Sequence, residues 1–204
     1  MRGKLIVLEG IHGSGKTAVA KEIQSWLQDK IGVSCSILSE MTDFLDNELV
    51  AKVFLSKKKP SNKAITDLAK HYKKSIYKAI RDDRSNEQWI IADRYDLSLL
   101  VYLNNGVGLD SPLMRLNEEF KWPLADYSYI LDCPVQTAMA RCTTKFVTEH
   151  PETYWNGILN RYRLVTEGFT EYELIDNSGE LSDIVTIITS QIGMGIDEEI
   201  ERDY

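Results

Sequence analysis

The chain has 204 residues, 43% of them hydrophobic, and a formal net charge of −7. That is enough apolar material for one α/β domain with a full core, and no apolar run reaches membrane-spanning length. The acidic balance, to which Asp197-Glu-Glu-Ile-Glu-Arg-Asp203 contributes, excludes a nonspecific nucleic-acid binder, which would be basic.

Met1-Arg-Gly-Lys4 leads directly into a strand-like run at 4–9, so no signal peptide is expected. Gly10-Ile-His-Gly-Ser-Gly15-Lys16-Thr17 follows, and Val19, Ile23, Trp26 and Leu27 then recur at the spacing of a helix over 16–30. A second strand is expected at 34–39 and a helix at 43–55. Lys57-Lys-Lys-Pro60-Ser-Asn-Lys63 is a basic breaker, read either as a solvated loop or as a rim that attracts anionic substrate. A helix over 63–82, a strand over 89–93 (Trp89-Ile-Ile-Ala-Asp93) and helices near 95–104 and 112–120 come next. The last third reads as a strand at 127–132, helices at 135–147 and 152–168, a strand at 171–176 and a helix at 181–192. Alternation of apolar strands with helices predicts a three-layer α/β/α domain with a five-stranded parallel sheet. Cys35, Cys133 and Cys142 are odd in number and have neither zinc nor redox spacing, so they read as reduced core residues of a cytoplasmic protein.

The stretch from Gly10 to Thr17 is a G-x-x-x-x-G-K-[ST] phosphate-binding loop between a strand and a helix. Its glycines let backbone N–H groups turn inward around an anion, and the helix N-terminus adds partial positive charge. Lys16 reaches the β/γ-phosphates of a nucleotide, and the Thr17 hydroxyl is a Mg²⁺ ligand. Such a loop serves GTPases, motor ATPases and small-molecule kinases alike. Three features narrow the choice. No Asn-Lys-x-Asp follows to read guanine, and the chain has no room for a motor module. The third strand, moreover, ends in Asp93-Arg94-Tyr95. Asp93 is placed to hold Mg²⁺, directly or through water, and Arg94 offers a planar fork to a phosphate. A surface salt bridge is the plainer reading of that pair. Glu40 follows the second strand, so every candidate falls at a strand carboxyl end, where open α/β sheets bind ligands.

On these residues the sequence resembles the thymidylate kinase family of nucleoside monophosphate kinases. The likeness runs from Leu5 through Thr17 to Trp89-Ile-Ile-Ala-Asp-Arg-Tyr-Asp-Leu-Ser98, then to Val101-Tyr102 and Asn105-Gly106. It resumes at Ala125-Asp126-Tyr-Ser-Tyr-Ile-Leu-Asp-Cys-Pro134, with Ala138 and Arg141, and closes through Arg161-Tyr162 on Tyr172-Glu-Leu-Ile-Asp176. The resemblance implies transfer of the γ-phosphoryl of ATP, with Mg²⁺, to a nucleoside monophosphate such as dTMP or a related pyrimidine deoxynucleotide. By that analogy His12, Gly13, Ser14, Gly15, Lys16 and Thr17 line the ATP phosphates, and Arg94 orients the acceptor phosphate. Ser98 and Tyr102 would line the acceptor pocket, with Tyr102 crowding a 2′-hydroxyl. Arg141 would open a lid over about 141–154 and supply a catalytic cation there, as Lys145 also could. A homodimer through helices near 63–82 and 95–104 is implied as well.

The chain departs from the family pattern at four places. His12 stands where an acid is usual; it is able to donate to a phosphate or sugar oxygen but not to repeat a carboxylate's role. The second strand ends Ser39-Glu40-Met41 in place of Arg-Glu-Pro. The helix before Asp93 carries no arginine to read a base, leaving His71 or Tyr72 to stack on one. The lid segment is poor in arginine, with His150-Pro151-Glu152 where an acidic–arginine pair is usual. All four cluster on the acceptor side and the lid. They keep open an alternative, a deoxynucleoside kinase that phosphorylates a 5′-hydroxyl with Glu40 as general base. A nucleotide-binding protein without turnover is a third reading, against which Lys16, Thr17 and Asp93 argue.

Overall fold

The computed structural model describes residues 3–39, 61–85, 88–103, 123–142, 145–168 and 171–202. Five short strands, β1 (Leu5–Glu9), β2 (Cys35–Ser39), β3 (Trp89–Asp93), β4 (Tyr127–Asp132) and β5 (Glu173–Asp176), form one sheet in the order β2-β3-β1-β4-β5. Every pairing is parallel, and β1 lies in the centre with Leu5 opposite Ile90 on one side and Ile6 opposite Tyr127 on the other. Helices α1 (Lys16–Trp26), α2 (Asn62–Ser85), α3 (Asp96–Leu103), α4 (Val135–Arg141), α5 (Lys145–Thr148), α6 (Glu152–Gly168) and α7 (Leu181–Arg202) connect the strands.

Strand residues buried on both faces explain why β1 and β3 read as unbroken apolar runs. Alternate side chains feed two cores. Leu5, Val7, Ile90, Ala92 and Ile130 pack with Leu68, Val101, Trp155 and Tyr162 on one face. Ile6, Leu8, Ile91, Tyr129 and Leu131 pack with Val19, Ile23, Ile184, Ile188 and Ile192 on the other. This is the expected three-layer arrangement.

The boundaries differ from expectation where tertiary contacts intervene. The helix expected over 16–30 is α-helical to Trp26 and then widens into a π turn, Leu27–Ile31, closed by Gly32 at φ 75. The helix expected over 135–147 breaks in two, because Cys142 is extended where the chain passes the phosphate loop at Gly13. The strand expected at 171–176 begins at Glu173. The last helix runs ten residues past its expected end at 192, to Arg202, despite Gly193 and Gly195. Ile196 continues the buried stripe of Ile184, Ile188 and Ile192. Beyond it Glu199 Oε1 accepts from Lys4 Nζ at 2.6 Å, and that ammonium lies between the Trp89 and Tyr127 rings. The helices expected at 43–55 and 112–120 fall outside the described residues. No helix among the described residues is long and apolar enough to cross a membrane.

Gly195 shows how closely α7 approaches the sheet, since a Cβ there would collide with the Tyr127 hydroxyl. Gly195→Ala is therefore expected to lower stability by about 1–2 kcal/mol through overpacking. In a Tyr127→Phe background the hydroxyl is gone and the same substitution should become stabilising by up to about 1 kcal/mol, from helix propensity alone. Thermal denaturation of the four chains reads this change of sign.

Candidate active site

The site forms where β1, β3 and β4 end side by side, the reversal point of the strand order. After Glu9 the chain turns through Gly10 (φ 141), Gly13 (φ 77) and Gly15 (φ 86), conformations that side-chain-bearing residues avoid. A Cβ at Gly13 would collide with the Ala138 carbonyl, so glycine is required there twice over. Ser14 is fully buried, and its carbonyl accepts a hydrogen bond from the Asn177 side-chain amide, which ties the loop to the turn after β5. The Asn177 backbone N–H in turn donates to the Asp132 carbonyl at 2.9 Å.

Lys16 folds over the loop. Its ammonium donates to the Ile11 carbonyl at 2.8 Å, the Gly10 carbonyl at 3.2 Å and Ser14 Oγ at 3.2 Å. Thr17 Oγ1 donates to Asp93 Oδ2 at 2.5 Å across the β1–β3 boundary. Asp93 Oδ1 is buried and has no hydrogen-bond partner among the described residues. An orphaned carboxylate oxygen beside a threonine hydroxyl is an oxygen donor set suited to a hard divalent cation. Among the described residues no group of three His, Cys, Asp or Glu side chains could hold a metal.

Arg94 occupies the left-handed region at φ 80, the one non-glycine residue to do so among those described. Its backbone N–H donates to the Leu8 carbonyl at 2.9 Å. Its Nη1 donates to the Gly10 carbonyl at 3.0 Å, to Ser98 Oγ at 3.2 Å and, more weakly, to the Tyr162 hydroxyl at 3.5 Å. The guanidinium lies 5.1 Å from the centre of the Tyr102 ring. Burial alone would depress it, but Tyr102, Tyr162, Glu9 and Asp93 outweigh burial and hold it above its ordinary value.

Glu9, which the phosphate-loop pattern does not single out, is fully buried at the centre of this network. Its Oε1 accepts from the backbone N–H groups of Tyr95 at 2.8 Å and Ser98 at 3.0 Å. Its Oε2 accepts from Ser98 Oγ at 2.5 Å and from the Tyr162 hydroxyl at 3.0 Å. Beside it, burial pushes the Asp96 carboxyl up to about 6, against the hydrogen bond it accepts from the Tyr172 hydroxyl and with the charge of Glu9 adding to the rise.

The structure thus brings together Gly13 to Thr17, Asp93, Arg94, Ser98 and Tyr102. Ser98, expected along the acceptor pocket, is fully buried, its hydroxyl donating to Glu9 and accepting from Arg94, with the Tyr162 oxygen 3.0 Å away. Arg141 is exposed at the end of α4 and donates to the Gly179 carbonyl at 3.4 Å, so it spans from α4 to the turn after β5. Tyr72 and His71 lie on α2, His71 exposed. Glu40 lies outside the described residues. Glu9, Tyr162 and Asn177 are the participants not singled out from the sequence, because each acts through partners far away along the chain, 86 residues for Glu9–Tyr95, 153 for Glu9–Tyr162 and 163 for Asn177–Ser14.

His12 projects from the phosphate loop into aromatic surroundings, 6.0 Å from the Tyr102 ring and 5.8 Å from the Trp155 ring, both edge-on. Burial, then Arg94, then Lys16 push its imidazole down to about 2. The ring is therefore neutral at any physiological pH, while in the unfolded chain it would protonate near 6.5. The sign follows: stability is complete above about 6.5 and falls as pH drops below it, because the unfolded state alone takes up the proton. His12→Phe keeps a ring against Tyr102 and Trp155, and it should remove up to ~1.4 kcal/mol per pH unit from the acid-side slope of stability. Urea denaturation at pH 7.5, 6 and 5 measures that slope.

The description "Thymidylate kinase" belongs to the family model that matches residues 8–182. A probable thymidylate kinase of Pyrococcus horikoshii is 29% identical over 205 residues, spanning 94% of this chain and 97% of that protein. A thymidylate kinase of Coprothermobacter proteolyticus is 32% identical over 145 residues, spanning 69% of this chain and 72% of its own. Among solved structures, thymidylate kinase from Candida albicans superposes with a TM-score of 0.72 at 16% identity, over 95% of this chain and 92% of that one. Deoxyadenosine kinase from M. mycoides superposes with a TM-score of 0.69 at 18% identity, over 93% and 99%. At those identities the two structures speak for the fold.

Proposed function

The chain belongs to the thymidylate kinase family, and from that membership we propose transfer of the γ-phosphoryl of ATP to a deoxynucleoside monophosphate, giving the diphosphate and ADP. Family membership makes it a nucleoside monophosphate kinase, a phosphotransferase acting on nucleotides. The proposal extends to the acceptor, dTMP or a related pyrimidine deoxynucleotide.

One observation carries the reading. The Arg94 guanidinium is hydrogen-bonded to Gly10, the first residue of the loop that Lys16 covers, so two buried cations meet at one backbone turn. A donor polyphosphate on one side of that turn and an acceptor phosphate on the other would lie in reach of each other. The backbone of Gly13 to Thr17 and the Lys16 ammonium would hold the donor phosphates. Thr17 and Asp93 would hold Mg²⁺, which when bound supplies charge neutralisation on the transferring group. Arg94 would orient the acceptor phosphate, and Tyr102 beneath it would border the sugar. Arg141, bonded to Gly179, would cover the donor end as a lid over about 141–154 closes and excludes water. The acceptor is already an anion, so positioning and charge neutralisation suffice and no general base is required.

Within this proposal the chain is a cytoplasmic homodimer paired through α2 and α3, without stable nucleic-acid binding; light scattering of the purified chain reads the oligomeric state. Release of ADP across a panel of nucleosides and nucleoside monophosphates tests the activity. Monophosphate-dependent ADP formation is expected, with deoxyribose preferred to ribose, and Lys16→Ala should lose at least about 100-fold in rate. Glu40→Gln should retain activity. Phosphorylation of nucleosides alone, abolished by Glu40→Gln, would replace this reading with 5′-hydroxyl transfer.

A further inference from the structure

Arg94 is held from three consecutive residues of β1 and its exit. Its N–H bonds Leu8, its side chain bonds Gly10, and the residue between them, Glu9, takes the N–H groups of Tyr95 and Ser98 that follow Arg94. A left-handed arginine is strained and persists only where its surroundings over-determine it. Glu9 supplies that constraint, and its carboxylate also caps the first turn of α3, whose free N–H groups favour negative charge.

The hydroxyl chemistry goes further. Ser98 and Tyr162 each carry one O–H proton, and both direct it to Glu9 Oε2. With their protons committed to the carboxylate, both oxygens present lone pairs, and Arg94 Nη1 donates to both. Glu9 therefore sets the polarity of the whole cluster. The three side-chain bonds that Arg94 makes among the described residues all fall on Nη1, so this cluster holds the guanidinium by one arm. We propose that Glu9, acting through Ser98 and Tyr162, is the positioning residue that holds Arg94 in its anion-binding pose, an inference that rests on Arg94 as the acceptor-phosphate ligand.

Two substitutions separate this from a merely structural role. Glu9→Gln keeps the size of the side chain and an oxygen for the Tyr95 and Ser98 N–H groups. Its new NH₂ group would donate to Ser98 and Tyr162 and so compete with Arg94 for their lone pairs. Tyr162→Phe removes a single hydroxyl and keeps the buried ring, so it tests the cluster even where the Gln chain fails to fold. Steady-state kinetics with MgATP and the most active monophosphate of the panel provide the readout. The acceptor KM should rise about tenfold or more in either variant while the ATP KM stays within about threefold. In an Arg94→Ala background Tyr162→Phe should add little, since the group it acts through is gone. A Tyr162→Phe chain whose two KM values rise together, or whose effect is undiminished in Arg94→Ala, would overturn the inference. An acceptor KM unchanged by Arg94→Ala alone would instead overturn the reading on which it rests.

Discussion

A carboxylate taken wholly out of water costs several kcal/mol unless other donors replace its hydration. Glu9 meets that requirement with four hydrogen bonds, two from backbone N–H groups at the start of α3, one from Ser98 and one from Tyr162 on α6. Satisfying one buried charge thus fixes the end of β1 against the end of β3 and pulls α6 across both. The phosphate loop begins at the next residue, and the arginine that faces it hangs from the same three-residue stretch. The halves proposed for donor and acceptor are in this sense parts of one hydrogen-bonded unit.

The charge of the chain as a whole says little about that unit. A net charge of −7 coexists with an edge where Lys16, Arg94 and Arg141 come from the start of α1, the exit of β3 and the end of α4. Lys16 and Arg94 are buried and cross-bonded to carbonyls of the same turn, whereas Arg141 is exposed and reaches to Gly179. His12 lies near the two buried cations and stays neutral, so it adds an apolar, edge-on ring to the wall instead of a third charge. This is the position at which the chain departs from the acid usual in its family, and the structure gives the departure a place, against Tyr102 and Trp155.

What was legible in the sequence was local. The strands, the glycine turn and the Asp93-Arg94 exit depend on residues close together along the chain, and β3 and β4 fall where their apolar runs lie. The break in the helix after Arg141 was not legible, because its cause is Gly13, a residue 128 positions earlier that the chain must pass closely. The extension of α7 to Arg202 likewise depends on Lys4 at the opposite end of the sequence. The Glu9–Tyr162 bond spans 153 positions, and although both residues lie in stretches that carry the family likeness, nothing local assigns either a polar partner. Long-range satisfaction of buried polar groups leaves no periodic trace, whereas backbone turns do.

The central place of β1 has a consequence during synthesis. Its first neighbour, β3, begins at Trp89 and its second, β4, at Tyr127, while the helix that closes one face, α7, is the last element described. Of the five strands described, the first to leave the ribosome is therefore the one with both edges to fill, and it stays without its second edge partner until residue 132 has been made. Non-local parallel pairing of this kind is slow, and the nascent chain carries an unpaired apolar strand throughout. Folding of this chain is accordingly a late event that depends on its C-terminal third, and a nascent fragment ending before β4 is a target for chaperones and proteases instead of a smaller folded unit.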